Sequence, residues 1–131
     1  MDFFISIVLG HFVGDYLLQT ERMAKVKTVK FKQGILACVI HCIIYTLSIC
    51  VLSWHFSPMF MSLVFLSHYP IDRWSLGEKW LKLIKGRNIK QSFYSELSYR
   101  DIDLSFSVLV YTVVDNTIHL LLLWGIYNLL I

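Results

Sequence analysis

Every Lys and Arg of this chain falls in one of two stretches, five between Arg22 and Lys32 and seven between Arg73 and Arg100. The long segments outside those stretches are apolar. Hydrophobic residues make up 56% of the 131-residue sequence and charged residues 16%, where an average soluble domain has roughly 45–50% and about 25%. A soluble fold needs charge on all its outer faces, so the segregation predicts an all-α integral membrane bundle. A chain this short supports one apolar core, and residues 1–131 read as a single transmembrane domain.

Four apolar runs, at about residues 3–18, 34–54, 58–74 and 104–131, are the expected transmembrane helices. The second is about 20 residues long and crosses a ~30 Å hydrocarbon layer at ~1.5 Å per residue. Pro58 suits the first turn of the third helix, whereas Pro70 frees the carbonyl of Leu66 and predicts a kink between His68 and Asp72. Ser75 and Glu78 read as a capping box. They would open a short interfacial helix with Leu76, Trp80, Leu83 and Ile84 on its apolar side, Lys79, Lys82 and Lys85 on its polar side, and Gly86 at its end. Residues 87–100 read as a polar loop, after which Asp101 or Asp103 would cap the last helix.

Positive residues stay in the cytoplasm, so four spans place both termini and the turn near His55 outside, in a multi-pass inner-membrane protein. The net charge of +3 therefore reads as a topology signal. No helix-turn-helix, zinc-finger or RNA-binding pattern accompanies it, and no nucleic-acid partner is expected. Cys38, Cys42 and Cys50 share one apolar run, which argues against a disulfide framework. The first run has no basic lead and no small-x-small cleavage site, and is read as a retained helix.

Within the runs the ionisable residues form a pattern: His11 and Asp15, His41, His68 and Asp72, Asp115 and His119. Three of the helices carry a His and an Asp four apart, which places both on one face with Cβ atoms roughly 6 Å apart. Burying such groups in lipid costs several kcal/mol unless they find partners, so they should meet inside the bundle. Measured from the cytoplasmic edges, the first five lie at comparable depth. The last pair joins them if the first turns of the fourth helix project into the cytoplasm, because its run of about 42 Å exceeds the ~30 Å core. His11, His41, His68, Asp115 and His119 are the expected metal ligands, with Asp15 and Asp72 as catalytic carboxylates. The mixed nitrogen and oxygen set suits one or two divalent Zn, Mn or Fe ions. A single polar residue in such a helix is ordinarily just an interhelical hydrogen bond of about 1 kcal/mol; seven at one depth exceed that.

Around this set, Cys38 and Cys42 flank His41 but read as small buried residues. Gly10 and Gly14 read as close-packing positions, Tyr45 as a neighbour of His41, and His55 as a solvated loop residue. Ser67 is a weak nucleophile candidate, since helix neighbours point about 100° apart.

The stretches His11-Phe-Val-Gly-Asp15-Tyr-Leu-Leu-Gln19-Thr, His41, Ser67-His68-Tyr-Pro-Ile-Asp72-Arg73-Trp and Asp115-Asn-Thr-Ile-His119 resemble a family of small bacterial and phage membrane proteins, catalogued as domain of unknown function 3307. The pattern is also similar to that of proteins labelled membrane-bound metal-dependent hydrolases. The leading expectation is a metal-dependent hydrolase acting on a lipid or other amphiphile at the cytoplasmic leaflet, its basic loops attracting an anionic head group. Two other readings compete with it: a transporter moving protons or a metal ion through the same residues, and a non-enzymatic membrane module held by a structural His/Asp site. Oligomeric state is not readable from the chain.

Overall fold

The computed structural model describes residues 2–94 and 96–130, and the described residues form helices and no strands. The first helix, α1 (Phe3–Phe12), is capped by Asp2, whose carboxylate accepts from the amides of Phe4 and Ile5 at 2.9 and 3.3 Å. It runs on into a π-helical turn, Val13–Leu17. The first basic stretch contains the short α2 (Glu21–Val26), capped by Thr20. Then come α3 (Lys32–Ser53), which Trp54 stops in the left-handed region at φ 56°, and α4 (Pro58–Arg73), with proline at its N-terminus as expected and continuing through Pro70. The amphipathic α5 (Leu76–Lys85) ends at Gly86, φ 62°. Finally α6 (Ile89–Phe93) leads to α7 (Leu97–Leu130).

Four local expectations are corrected. Ser75 makes no capping bond from its side chain; its backbone sits at φ 48°, ψ 55° to turn the chain from α4 into α5, and an N-cap side chain reaches the helix amides from extended backbone. Asp101 and Asp103 do not cap the last helix, which begins at Leu97. Asp103 accepts instead from Arg87 at 3.2 Å, and Arg87 also donates to Ser107 at 3.1 Å and lies over the ring of Phe106. These contacts bind the segment read as a loop, which includes α6, to the first turns of α7. His55 is half-buried, with its ring edge-on to Phe3 and Phe60.

Close packing sets the bundle. A Cβ on Gly10 would lie 2.6 Å from the Cα of Ile49, and one on Gly14 would lie 2.9 Å from the Cα of Tyr45. The two glycines, four residues apart, thus let the α1 and α3 backbones meet where side chains would hold them apart. At one end of the bundle Phe3 stacks on Tyr127 and meets His55 and Phe60, so the first turn of α1, the α3–α4 turn and the end of α7 come together. Below them Ile7, Ile49, Phe60, Val64 and Leu123 fill the centre. Helices Lys32–Ser53 and Ser98–Leu130 are long and apolar enough to cross a membrane; Phe3–Leu17 is apolar but shorter. Large apolar side chains such as Leu36, Leu66, Leu121 and Leu129 face outward from the bundle.

Candidate metal centre

At the other end of the bundle, the side chains that interrupt the apolar runs turn inward. The π-helical turn, a local widening often found at functional sites, aims Asp15 at α3 and α4. Nε2 of His41 lies 3.3 Å from Asp15 Oδ1, 2.9 Å from Asp72 Oδ2 and 3.0 Å from His68 Nε2. His68 Nε2 in turn lies 3.6 Å from Asp15 Oδ1 and 3.3 Å from Asp72 Oδ2. Five separations of 2.9–3.6 Å therefore link four atoms from three segments, with the His41–His68 pair shared between Asp15 on one side and Asp72 on the other. Ligand atoms about 2.0–2.1 Å from a tetrahedral ion are roughly 3.3 Å from one another, so the closed triangle of His41, His68 and Asp72, with edges of 2.9–3.3 Å, has the size of one face of a transition-metal coordination shell.

A second group adjoins the first through Asp72. Its Oδ1 is 4.0 Å from Nε2 of His119, and single ligand atoms of Asp72, Asp115 and His119 lie within 4.8 Å of one another. Nδ1–H of His119 donates to the carbonyl of Asp115 at 2.8 Å. That bond fixes the tautomer and leaves the Nε2 lone pair facing the cluster, the usual arrangement behind a metal-binding histidine. Nε2 of His119 and Oδ1 of Asp15 are buried atoms without a hydrogen-bond partner. Unpaired buried groups of this kind are costly, and cations bound in the cluster would satisfy both.

The structure brings all seven sequence-selected residues to this end of the bundle, at unequal distances from its centre. Nε2–H of His11 donates to Asn116 Oδ1 (2.8 Å), and its Nδ1 lies 3.1 Å from the Tyr45 hydroxyl and 3.3 Å from Asp15 Oδ2. It braces Asp15 from behind the four-atom shell. Asp15 and Asp72, read from sequence as catalytic, each belong to a group whose atoms are close enough together to hold an ion. Tyr45 bonds His11 rather than His41, and its ring stacks on His68 with centroids 3.6 Å apart. Ser67 donates to the Val64 carbonyl within its own helix. Cys38 and Cys42 are buried free thiols outside the ligand groups.

Sequence reading missed four neighbours. Gln19 and Asn116 interrupt apolar runs like the selected residues, and reach His41 (3.1 Å) and His11. Gly77 on α5 lies against Asp115; a Cβ there would meet Asp115 Oδ1 at 2.6 Å. Lys27, from the segment just after α2, extends its ammonium to Asp72 Oδ2 at 2.7 Å and is largely buried. Its segment is pinned by Arg73, which donates to the carbonyls of Lys27 and Val29 at 2.9 and 3.0 Å. A cavity of about 310 Å³ opens above the cluster, lined by Asp15, Asp72 and Asp115 together with Lys27, Gln19, Tyr16, Tyr111, Thr112 and Asn116.

A family model described as "Protein of unknown function (DUF3307)" matches residues 3–131. No curated protein and no solved structure matches the chain.

Proposed function

The chain belongs to the family of unknown function DUF3307, and on the strength of its inward-facing His/Asp cluster we propose that it is a membrane-embedded metal-dependent hydrolase acting on a lipid or other amphiphile at the cytoplasmic leaflet. The observation that carries this reading is the quartet of His41, His68, Asp15 and Asp72, in which the ligand atoms of His41, His68 and Asp72 close a triangle of 2.9–3.3 Å and Asp15 approaches both imidazoles, beside an open polar cavity. An ion held there would lower the pKa of a bound water toward about 7 and polarise an ester oxygen. His41, His68, Asp15 and Asp72 would hold a first ion, and Asp72, Asp115 and His119 a second. Whichever of Asp15 and Asp115 keeps an oxygen free can take the proton of the attacking water.

The proposal includes a four-span inner-membrane bundle with α5 on the cytoplasmic surface. The apolar outward faces support it, as does the separation of the two ends: the turn at His55 and the outer parts of α1 and α7 meet at one end, while every Lys and Arg falls within residues 22–32 and 73–100, the connections and adjoining helix ends at the other. The 15 residues of Phe3–Leu17 and the 16 of α4 are short for a ~30 Å layer, and local thinning of the bilayer accommodates helices of that length. A transport path would need polar groups through the far half of the bundle. Ile7, Ile49, Phe60, Val64 and Leu123 occupy that half, which weighs for a one-sided site.

Metal analysis of the purified, detergent-solubilised chain tests the reading, paired with release of product from amphiphilic esters. Wild type should retain one or two transition-metal ions per chain, with His41→Ala and His68→Ala losing ion and turnover together. Protein that takes up no ion when supplied with Zn or Mn would end the metal reading.

A further inference from the structure

Resting on that hydrolase reading, we propose that the substrate is a phosphate monoester carried on an amphiphile, and that Lys27 binds one of its phosphate oxygens. Lys27 is the cationic side chain among the residues lining the 310 Å³ cavity, and Asp15, Asp72 and Asp115 form the cavity's acidic floor. Its ammonium bonds Asp72 Oδ2, the same atom that stands 2.9 Å from His41 Nε2 and 3.3 Å from His68 Nε2. A cation held by His41, His68 and Asp72 would engage that oxygen and repel the ammonium. Lys27 then needs another anion, and Arg73, which holds the carbonyls of Lys27 and Val29, keeps its backbone at the rim of the cavity where such an anion would sit.

Charge balance says which anion fits. Three carboxylates and one lysine give −3 + 1 = −2 for the floor and its lysine. Two divalent ions make this +2, complementary to a monoester dianion. A carboxylic ester brings no charge to Lys27, and a phosphodiester brings only one. The three non-bridging oxygens of a monoester would match three cations: the Lys27 ammonium and two ions, which Asp72 would help to hold, with its Oδ2 facing His41 and His68 and its Oδ1 facing His119. Gln19, Tyr111, Thr112 and Asn116 supply further polar groups around the cavity. In the reaction, a water oxygen bonds to phosphorus as the bond to the ester oxygen breaks. The electron pair of that bond stays on the departing alcohol oxygen, which takes up the proton the water loses, leaving alcohol and inorganic phosphate.

The test uses the full chain in detergent micelles, loaded with Mn²⁺, with inorganic phosphate as probe. Phosphate should bind close enough to the ions to broaden its ³¹P resonance. Lys27→Gln should weaken that binding about tenfold or more, as loss of a charge-assisted hydrogen bond does, with the Mn content unchanged, while Lys27→Arg retains most of it. Mn-loaded protein that leaves the phosphate signal sharp, or a Lys27→Gln variant that binds phosphate like wild type, overturns the inference. Vesicles containing phosphatidic acid should release phosphate in preference to water-soluble p-nitrophenyl phosphate, and the reverse order overturns the amphiphile assignment. Failure to load any ion would sink the hydrolase reading and this inference with it. Loaded protein that cleaves a neutral amphiphilic ester but binds no phosphate would sink this inference alone.

Discussion

Replacing Gly10 with alanine tests the packing that holds the centre together. The new Cβ would lie 2.6 Å from the backbone Cα of Ile49 and 3.0 Å from its Cγ1, whereas carbon atoms rest about 3.5–4.0 Å apart. Because a backbone atom is in the way, no rotamer change relieves the clash, and α1 must move off α3 by roughly 1 Å. Overpacking of this kind costs about 1–3 kcal/mol, against a gain of up to ~1 kcal/mol from alanine's better helix propensity. Gly125→Ala removes the ambiguity: it sits in α7 with nothing within 4 Å of its would-be Cβ, so it carries the propensity gain without the clash. Thermal unfolding of both variants in one detergent should put Gly10→Ala below Gly125→Ala by about 1–3 kcal/mol, several degrees in Tm. Movement of α1 also carries Asp15 away from His41, which stands 3.3 Å from it, so Gly10→Ala should bind its ion more weakly and Gly125→Ala normally. Equal stability and equal ion affinity for the two variants would refute the argument that this helix contact positions the site.

Arg73→Gln should release the segment that carries Lys27, since two hydrogen bonds to carbonyls are lost; phosphate affinity falls as in Lys27→Gln while bound ion persists, and an unchanged affinity would mean that Lys27 is held by something other than Arg73. Tags at either terminus should be reached only by reagents applied outside the cell, as the one-sided placement of Lys and Arg requires; labelling of both from the cytoplasm would invert the bundle.

The cluster was legible because it violates its surroundings. An imidazole or carboxylate in an apolar run has no solvent to face, and the four-residue interval of His11/Asp15, His68/Asp72 and Asp115/His119 fixes a common face from helical geometry alone. What the interval cannot supply is the order of the shells. His11 and His41 lie at similar depth along their helices, yet His41 enters the quartet while His11 is taken up by Asn116 and Tyr45. That difference depends on the direction each ring takes from its backbone, and on a π-helical turn after Phe12 that a 3.6-residue period does not anticipate. The capping of α5 and α7 was misread for a related reason: Ser75 and Asp103 have the right residue types, but their backbone and partners are set by the turn out of α4 and by Arg87.

Lys27 was hidden by the regularity that revealed everything else. In a stretch holding Arg22, Lys25, Lys27, Lys30 and Lys32, the positive-inside reading accounts for each charge alike, so none stands out as chemistry. Only the fold separates them: Lys25 pairs with Glu21 on the exposed face of α2, whereas Lys27 is turned inward onto Asp72. The neighbours Asp72 and Arg73 act on that one residue from both sides, the carboxylate taking its ammonium and the guanidinium its carbonyl. Residues next to each other near a helix end thus place a cation from a distant loop over a floor of carboxylates. A topological lysine would have no need of such a clamp, which is why the pairing points to a role within the cavity.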